Sequence, residues 1–118
     1  LAKGSKVIVV LGHTDCGAVT SACQLRLEQK QVSDVKEMPH IQYVLGPLMH
    51  SVDSVYDIMQ PRELGNAFIS QVTAMNVHYN IQYIINNSSV LKDMVDRGEI
   101  VVVGAIYDVK TGHVQFLD

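Results

Sequence analysis

Two short apolar runs near opposite ends of the chain constrain its fold more than anything between them. The first is Lys6-Val7-Ile8-Val9-Val10-Leu11-Gly12, and the second is Ile100 to Ala105. The first is a continuous β-branched run closed by a glycine. Such a run fits a strand buried on both faces, as in a parallel sheet. Helical patterns fill the interval, so the two strands are expected as parallel neighbours joined by a right-handed helical crossover. Val109 and Val114 flank Lys110-Thr111-Gly112, which reads as a hairpin turn. A last strand, about Val114 to Leu117, should then pair antiparallel at an edge. The expectation is an α/β fold with a truncated sheet of three strands, where about five or six are typical.

The helices are expected from apolar spacing. Val19, Ala22, Cys23 and Leu27 recur at helical intervals within Ala18 to Lys30. Gln31 to Met38 is polar and reads as a loop. Pro39 suits the first turn of a helix. Ile41, Val44, Leu45, Leu48, Met49 and Val52 then form one stripe. Gly46-Pro47 interrupts that stripe, which leaves two short helices or one kinked helix open. The longest pattern runs from Arg62 to about Asn86, with Leu64, Phe68, Val72, Met75, Tyr79 and Tyr83 on its buried side. Ser88 is a good N-cap for Val90 to Arg97, and Gly98 is placed as the residue just past that helix.

Composition removes several function classes. The chain has 118 residues, 47% apolar and 18% charged, with a net charge of −3. Disorder needs low hydrophobicity and high net charge. A mass of 13.0 kDa supports one core, so a single domain over residues 1–118 is expected. No basic field exists to hold phosphate backbones, so nucleic acid is not an expected partner. The longest apolar run, Val7 to Leu11, is far short of the roughly 18 residues of a membrane helix. No membrane contact is therefore expected. Two cysteines, Cys16 and Cys23, are too few for a small secreted disulfide scaffold, which points to a reducing cytoplasm.

His13 and Cys16 are the candidate metal ligands. They follow the first strand and precede a helix, and open α/β sheets build their sites at the carboxyl ends of strands. The H-x-x-C spacing lets an imidazole and a sulfur converge within one turn. Thiolate with imidazole is a zinc combination. A helix N-terminus favours the thiolate, the form that binds metal. Gly17 carries no side chain to block a ligand. Against this stands the plain reading, in which a loop histidine and a buried cysteine have no site at all. Two donors are also only half of a zinc set. Cys23 lies about two helical turns, or roughly 10 Å, beyond Cys16 and reads as core. His40, His50, His78 and His113 read as packing or surface residues.

The stretch Val7 to Val19, with Gly12-His13-Thr14-Asp15-Cys16-Gly17 at its centre, resembles the second zinc-binding motif of the β-class carbonic anhydrases. The tail Ile100 to Val114 is similar to that family's closing strands, which commonly read V-x-G-x-x-Y-D-x-x-T-G-x-V. Asn76-Val77 sits where the family often has such a pair. The resemblance implies a β-carbonic-anhydrase-like fold and reversible hydration of carbon dioxide to bicarbonate. It implies Zn²⁺ held by His13, Cys16 and a further Cys from an upstream Cys-x-Asp-x-Arg motif. No such motif occurs in these 118 residues.

The chain is therefore expected to correspond to the C-terminal part of the family's domain, starting at about its third strand. The remaining ligand would come from another segment, from a second subunit, or not at all. In the last case the chain would be a metal-free binding or regulatory module. A zinc enzyme acting on another small linear substrate, such as carbon disulfide, is a third reading, because fold alone does not fix chemistry. The absence of neighbouring strands should leave Val7 to Leu11 with an open apolar edge, so a homo-oligomer, dimer or higher, is expected.

Overall fold

The computed structural model describes residues 4–118. In chain order the elements are β1 (Val7–His13), α1 (Gly17–Leu27), a 3₁₀ turn at Val32–Asp34, α2 (Gln42–Met59), α3 (Asn66–Asn87), α4 (Ser89–Asp96), β2 (Val101–Tyr107) and β3 (Val114–Phe116). They form two compact units. One comprises the segment through Thr14 together with Val77–Asp118, and the other Asp15–Asn76. The boundary falls inside α3.

The first unit is built on a three-stranded sheet in the order β1-β2-β3. β1 and β2 are parallel and in continuous register from Val7↔Val101 to His13↔Tyr107. β3 runs antiparallel to β2, with Ala105↔Phe116 and Tyr107↔Val114. The expected α/β topology is the observed one. Ser88 caps α4 as its sequence suggested, its Oγ accepting from the Leu91 N–H at 3.2 Å. Gly98, at φ 70°, ends that helix in the left-handed region.

The face of this sheet that carries Val10 and Gly104 packs on the second half of α3. Gly104 is buried and pairs with Val10. A Cβ at Gly104 would lie 2.7 Å from Val77 Cγ1 and 3.2 Å from Ile81 Cδ1. The helix approaches the strand too closely for any larger residue. The alternate face behaves differently. Val7, Val9 and Leu11 are 52%, 45% and 53% exposed, while Ile8, Val10 and Gly12 between them are less so. The expectation of burial on both faces is therefore wrong for β1. A continuous apolar run records what a strand tolerates, and here it lies at a sheet edge with one face packed.

The second unit buries α1, α2 and the first half of α3 against one another. Val19, Ala22 and Cys23 meet Leu45, Leu48, Val52, Val55, Phe68 and Val72 in one apolar cluster. Arg26 on α1 reinforces this from outside. Its Nε lies 3.0 Å from Asp53 Oδ1 on α2, and its guanidinium stacks 3.8 Å over the Tyr56 ring. At partial exposure the ion pair itself contributes little, up to about 1 kcal/mol.

Several boundaries differ from expectation for local reasons. α1 stops at Leu27 because Gln29 enters the left-handed region at φ 55°. The Gln29 and Lys30 N–H groups then bond back to the Arg26 and Leu25 carbonyls, a Schellman closure made without glycine. α2 is one helix that runs through Pro47. The proline falls on an exposed stretch beside Tyr43 and Val44, where water can satisfy a freed carbonyl. Pro39 lies before α2, and Leu64 lies before α3. Tyr83, expected on the buried side of α3, is 56% exposed.

Replacing Gly104 by alanine should destabilise the fold by about 1–3 kcal/mol, because Val77 is β-branched and buried and cannot swing away cheaply. Urea unfolding of wild type and Gly104→Ala would measure this. Equal midpoints would show that α3 can move off the strand at little cost.

Candidate metal centre

His13 is the last residue of β1, and Cys16 is the residue that caps the N-terminus of α1. Thr14 and Asp15 form the turn between them. Asp15 makes that turn possible by adopting φ 54°, a conformation that Asp tolerates better than most side chains. Cys16 is partly exposed and its thiol takes no capping role towards the helix. Its carbonyl accepts from both the N–H and the Oγ1 of Thr20, at 3.0 and 2.9 Å. The first turn of α1 is thereby fixed directly behind the thiol. A Cβ on Gly17 would meet no protein atom within 4 Å, so the space there is open.

His13 has one ring nitrogen engaged. Nδ1 lies 2.7 Å from the Thr14 carbonyl oxygen. A carbonyl can only accept, so Nδ1 carries the proton and Nε2 of the neutral ring keeps its lone pair. A ligating histidine usually has this division of labour, one nitrogen on an oxygen acceptor and the other on the metal. The acceptor, which the sequence did not disclose, is the backbone of the next residue.

Among the described residues, no group of three His, Cys, Asp or Glu side chains is placed to hold a metal ion. The donor types of His13 and Cys16 suit zinc, and their number is half of what zinc takes. Cys23 supplies no third donor. It is fully buried in the apolar cluster, and burial pushes its thiol up to about 11. His40, His50, His78 and His113 are all exposed. Two surface clefts of about 480 and 410 Å³ lie along the end of α2 and the start of α3, and neither is lined by His13 or Cys16. Among the described residues, no helix is long and apolar enough to cross a membrane.

The sequence matches the family described as carbonic anhydrase over residues 2–114. The chain belongs to the carbonic anhydrase family. Its fold is that of the β class. It is similar to the β-carbonic anhydrase CcaA, with 22% identity and a TM-score of 0.78, over 100% of this chain and 53% of that one. It is also similar to the β-carbonic anhydrase CafA of the fungal pathogen Aspergillus fumigatus, with 29% identity and a TM-score of 0.70, over 96% of this chain and 49% of that one. The chain thus spans about half the length of these solved relatives. No curated protein matches it.

Sequence reasoning missed two residues that matter to His13. Thr14 drew no attention, because a threonine in a loop carries no signal by itself. Asp108 is legible only as a position within the closing-strand motif. In the structure its Oδ1 accepts from the Lys110 and Thr111 N–H groups, at 2.9 and 3.3 Å. Those hydrogen bonds, the one from Lys110 foremost, hold the carboxyl below its usual range.

The two thiols should differ sharply towards alkylating agents. In the native protein near pH 7.5, iodoacetamide should label Cys16 at least tenfold faster than Cys23, because the thiolate is the nucleophile and Cys23 is both buried and protonated. Mass spectrometry of timed digests gives both rates. Equal rates would mean that the α1–α2 core opens readily.

Proposed function

We propose that this chain carries part of a zinc site for the reversible hydration of carbon dioxide to bicarbonate, with His13 and Cys16 as its ligands. The observation that carries the reading is His13 itself. Its Nδ1–H is taken by the Thr14 carbonyl, leaving Nε2 free, and Cys16 follows at the head of a helix in the family's motif. Membership of the carbonic anhydrase family supports the reaction class.

Zinc, when bound, brings the pKa of water toward about 7 and so supplies the nucleophile that hydration of carbon dioxide needs at neutral pH. The protein's contribution is to hold the donors. The Thr14 carbonyl keeps the His13 proton on Nδ1, and the turn through Asp15 sets Cys16 at the start of α1. The donors that complete the set come from outside the described residues.

Zinc content per chain, measured with the rate of carbon dioxide hydration, tests this. Stoichiometric zinc that is lost on His13→Ala or Cys16→Ala, with activity falling by at least about 10²-fold, is the expected result. Zinc retained by both variants would show that the ligands are misassigned. A well-folded chain without zinc would favour the second reading, a metal-free binding or regulatory module, which the lack of a third donor among the described residues supports.

The chain is further proposed to act as a homo-oligomer, a dimer or larger, in a reducing cytoplasm. Among the described residues the outer edge of β1 is unpaired within its sheet, and Val7, Val9 and Leu11 are exposed beside it. Open apolar edges recruit further strands. Both cysteines are free, as a reducing compartment would keep them. Size-exclusion chromatography with light scattering should find at least a dimer at micromolar concentration. A clean monomer there would contradict the assembly.

A further inference from the structure

The Tyr107–Gly112 turn, which the family's closing motif spells out, has no place in the metal chemistry as described so far. Its backbone is nonetheless tied to the residue after His13. The Thr14 N–H donates to the Tyr107 carbonyl at 3.0 Å. The Val109 N–H donates to Thr14 Oγ1 at 3.1 Å, across 95 residues of sequence. Thr14 is therefore held by both its backbone and its side chain. Its carbonyl is the group that receives the His13 Nδ1 proton at 2.7 Å.

The turn that supplies Val109 is itself closed from within. Asp108 accepts the Lys110 and Thr111 N–H groups on its carboxylate, and its carbonyl accepts the Gly112 N–H at 2.8 Å. The Asp108 N–H donates in turn to the His113 carbonyl at 2.8 Å. Gly112 takes φ 77°, a conformation glycine adopts without strain. Four hydrogen bonds thus fix where the Val109 N–H points, and that N–H points at Thr14.

We propose that Thr14, braced by the Asp108 turn, is a positioning residue for His13, which it locks in the Nδ1–H tautomer so that Nε2 is the nitrogen presented to a metal. The proposal rests on His13 being the nitrogen ligand. It goes beyond that assignment by naming what selects the nitrogen. A neutral imidazole in water prefers the opposite tautomer, with the proton on Nε2, which would blunt the ligand. The Val109 N–H on its hydroxyl and the Tyr107 carbonyl on its own N–H hold Thr14 at two points, which limits how far its carbonyl can turn away. Valine has the same shape and no acceptor, whereas serine keeps the acceptor and drops only a methyl group.

The test is ¹⁵N NMR of the His13 ring in the full chain, metal-free, at about pH 8.5, above the ordinary histidine range. Wild type should show a protonated Nδ1 and a bare Nε2. Thr14→Val should shift the ring toward the Nε2–H form, and Thr14→Ser should restore the wild-type pattern. Zinc titration of the same proteins should show binding about tenfold weaker in Thr14→Val and near wild type in Thr14→Ser, in line with the 10–100-fold usual for groups that orient a ligand. A wild-type His13 with its proton on Nε2 overturns the proposal without any variant having to fold. So does a Thr14→Val protein with unchanged tautomer and affinity. If His13→Ala leaves zinc binding intact, the ligand assignment fails and the metal role of Thr14 falls with it. If His13→Ala abolishes zinc binding while Thr14→Val changes nothing, the positioning role alone fails.

Discussion

The parallel pairing of β1 with β2 is the interaction on which the rest depends. It joins residues some ninety positions apart, in a register that sets His13 opposite Tyr107. Closing so long a segment costs conformational entropy, though the cost grows only with the logarithm of its length. The return comes as seven successive residue pairs and a buried face against α3. A slip of one residue would turn every side chain over. The Thr14 N–H would then leave the Tyr107 carbonyl, and Gly104 would no longer meet Val77 and Ile81. The register is thus specified twice, by close packing at Gly104 and by hydrogen bonding at Thr14.

The same sheet leaves one apolar face of β1 uncovered. One face of β1 is covered and the other is apolar and exposed, while its outer edge has no partner strand among the described residues. Natural edge strands are usually shortened, charged or bulged. β1 has none of these protections between Val7 and Leu11. A strand of this composition suits the middle of a sheet.

Much of this was legible in the residues. The two β-branched runs announced paired strands, and Ser88 and Gly98 announced the ends of α4. What was not legible has physical causes. Gln29 closes α1 in a glycine's conformation, which no propensity suggests. Pro47 is tolerated where the helix faces water, and exposure is a tertiary property. β1 reads as fully buried because an apolar run does not say how many faces find a partner. Thr14 and Asp108 were invisible as a pair because the link between them is a backbone N–H, and backbone groups leave no trace in side-chain identity.

That last point bears on how the segments that carry the proposed ligands keep their shape. A complete set of ligands is held partly by the metal, which ties the donors together. Two donors on one loop have no such tie before the others arrive. The order has to come from the protein, and ordering a residue costs about 1–2 kcal/mol of backbone entropy. Here the Thr14 peptide is fixed through Tyr107 and Val109, and the Cys16 carbonyl through Thr20. Each anchor orders its own segment, Thr14 in the first unit and Cys16 in the second. Neither anchor uses a donor atom of His13 or Cys16, so both stay free for binding. A loop ordered in this way spends little of the binding free energy on its own arrangement.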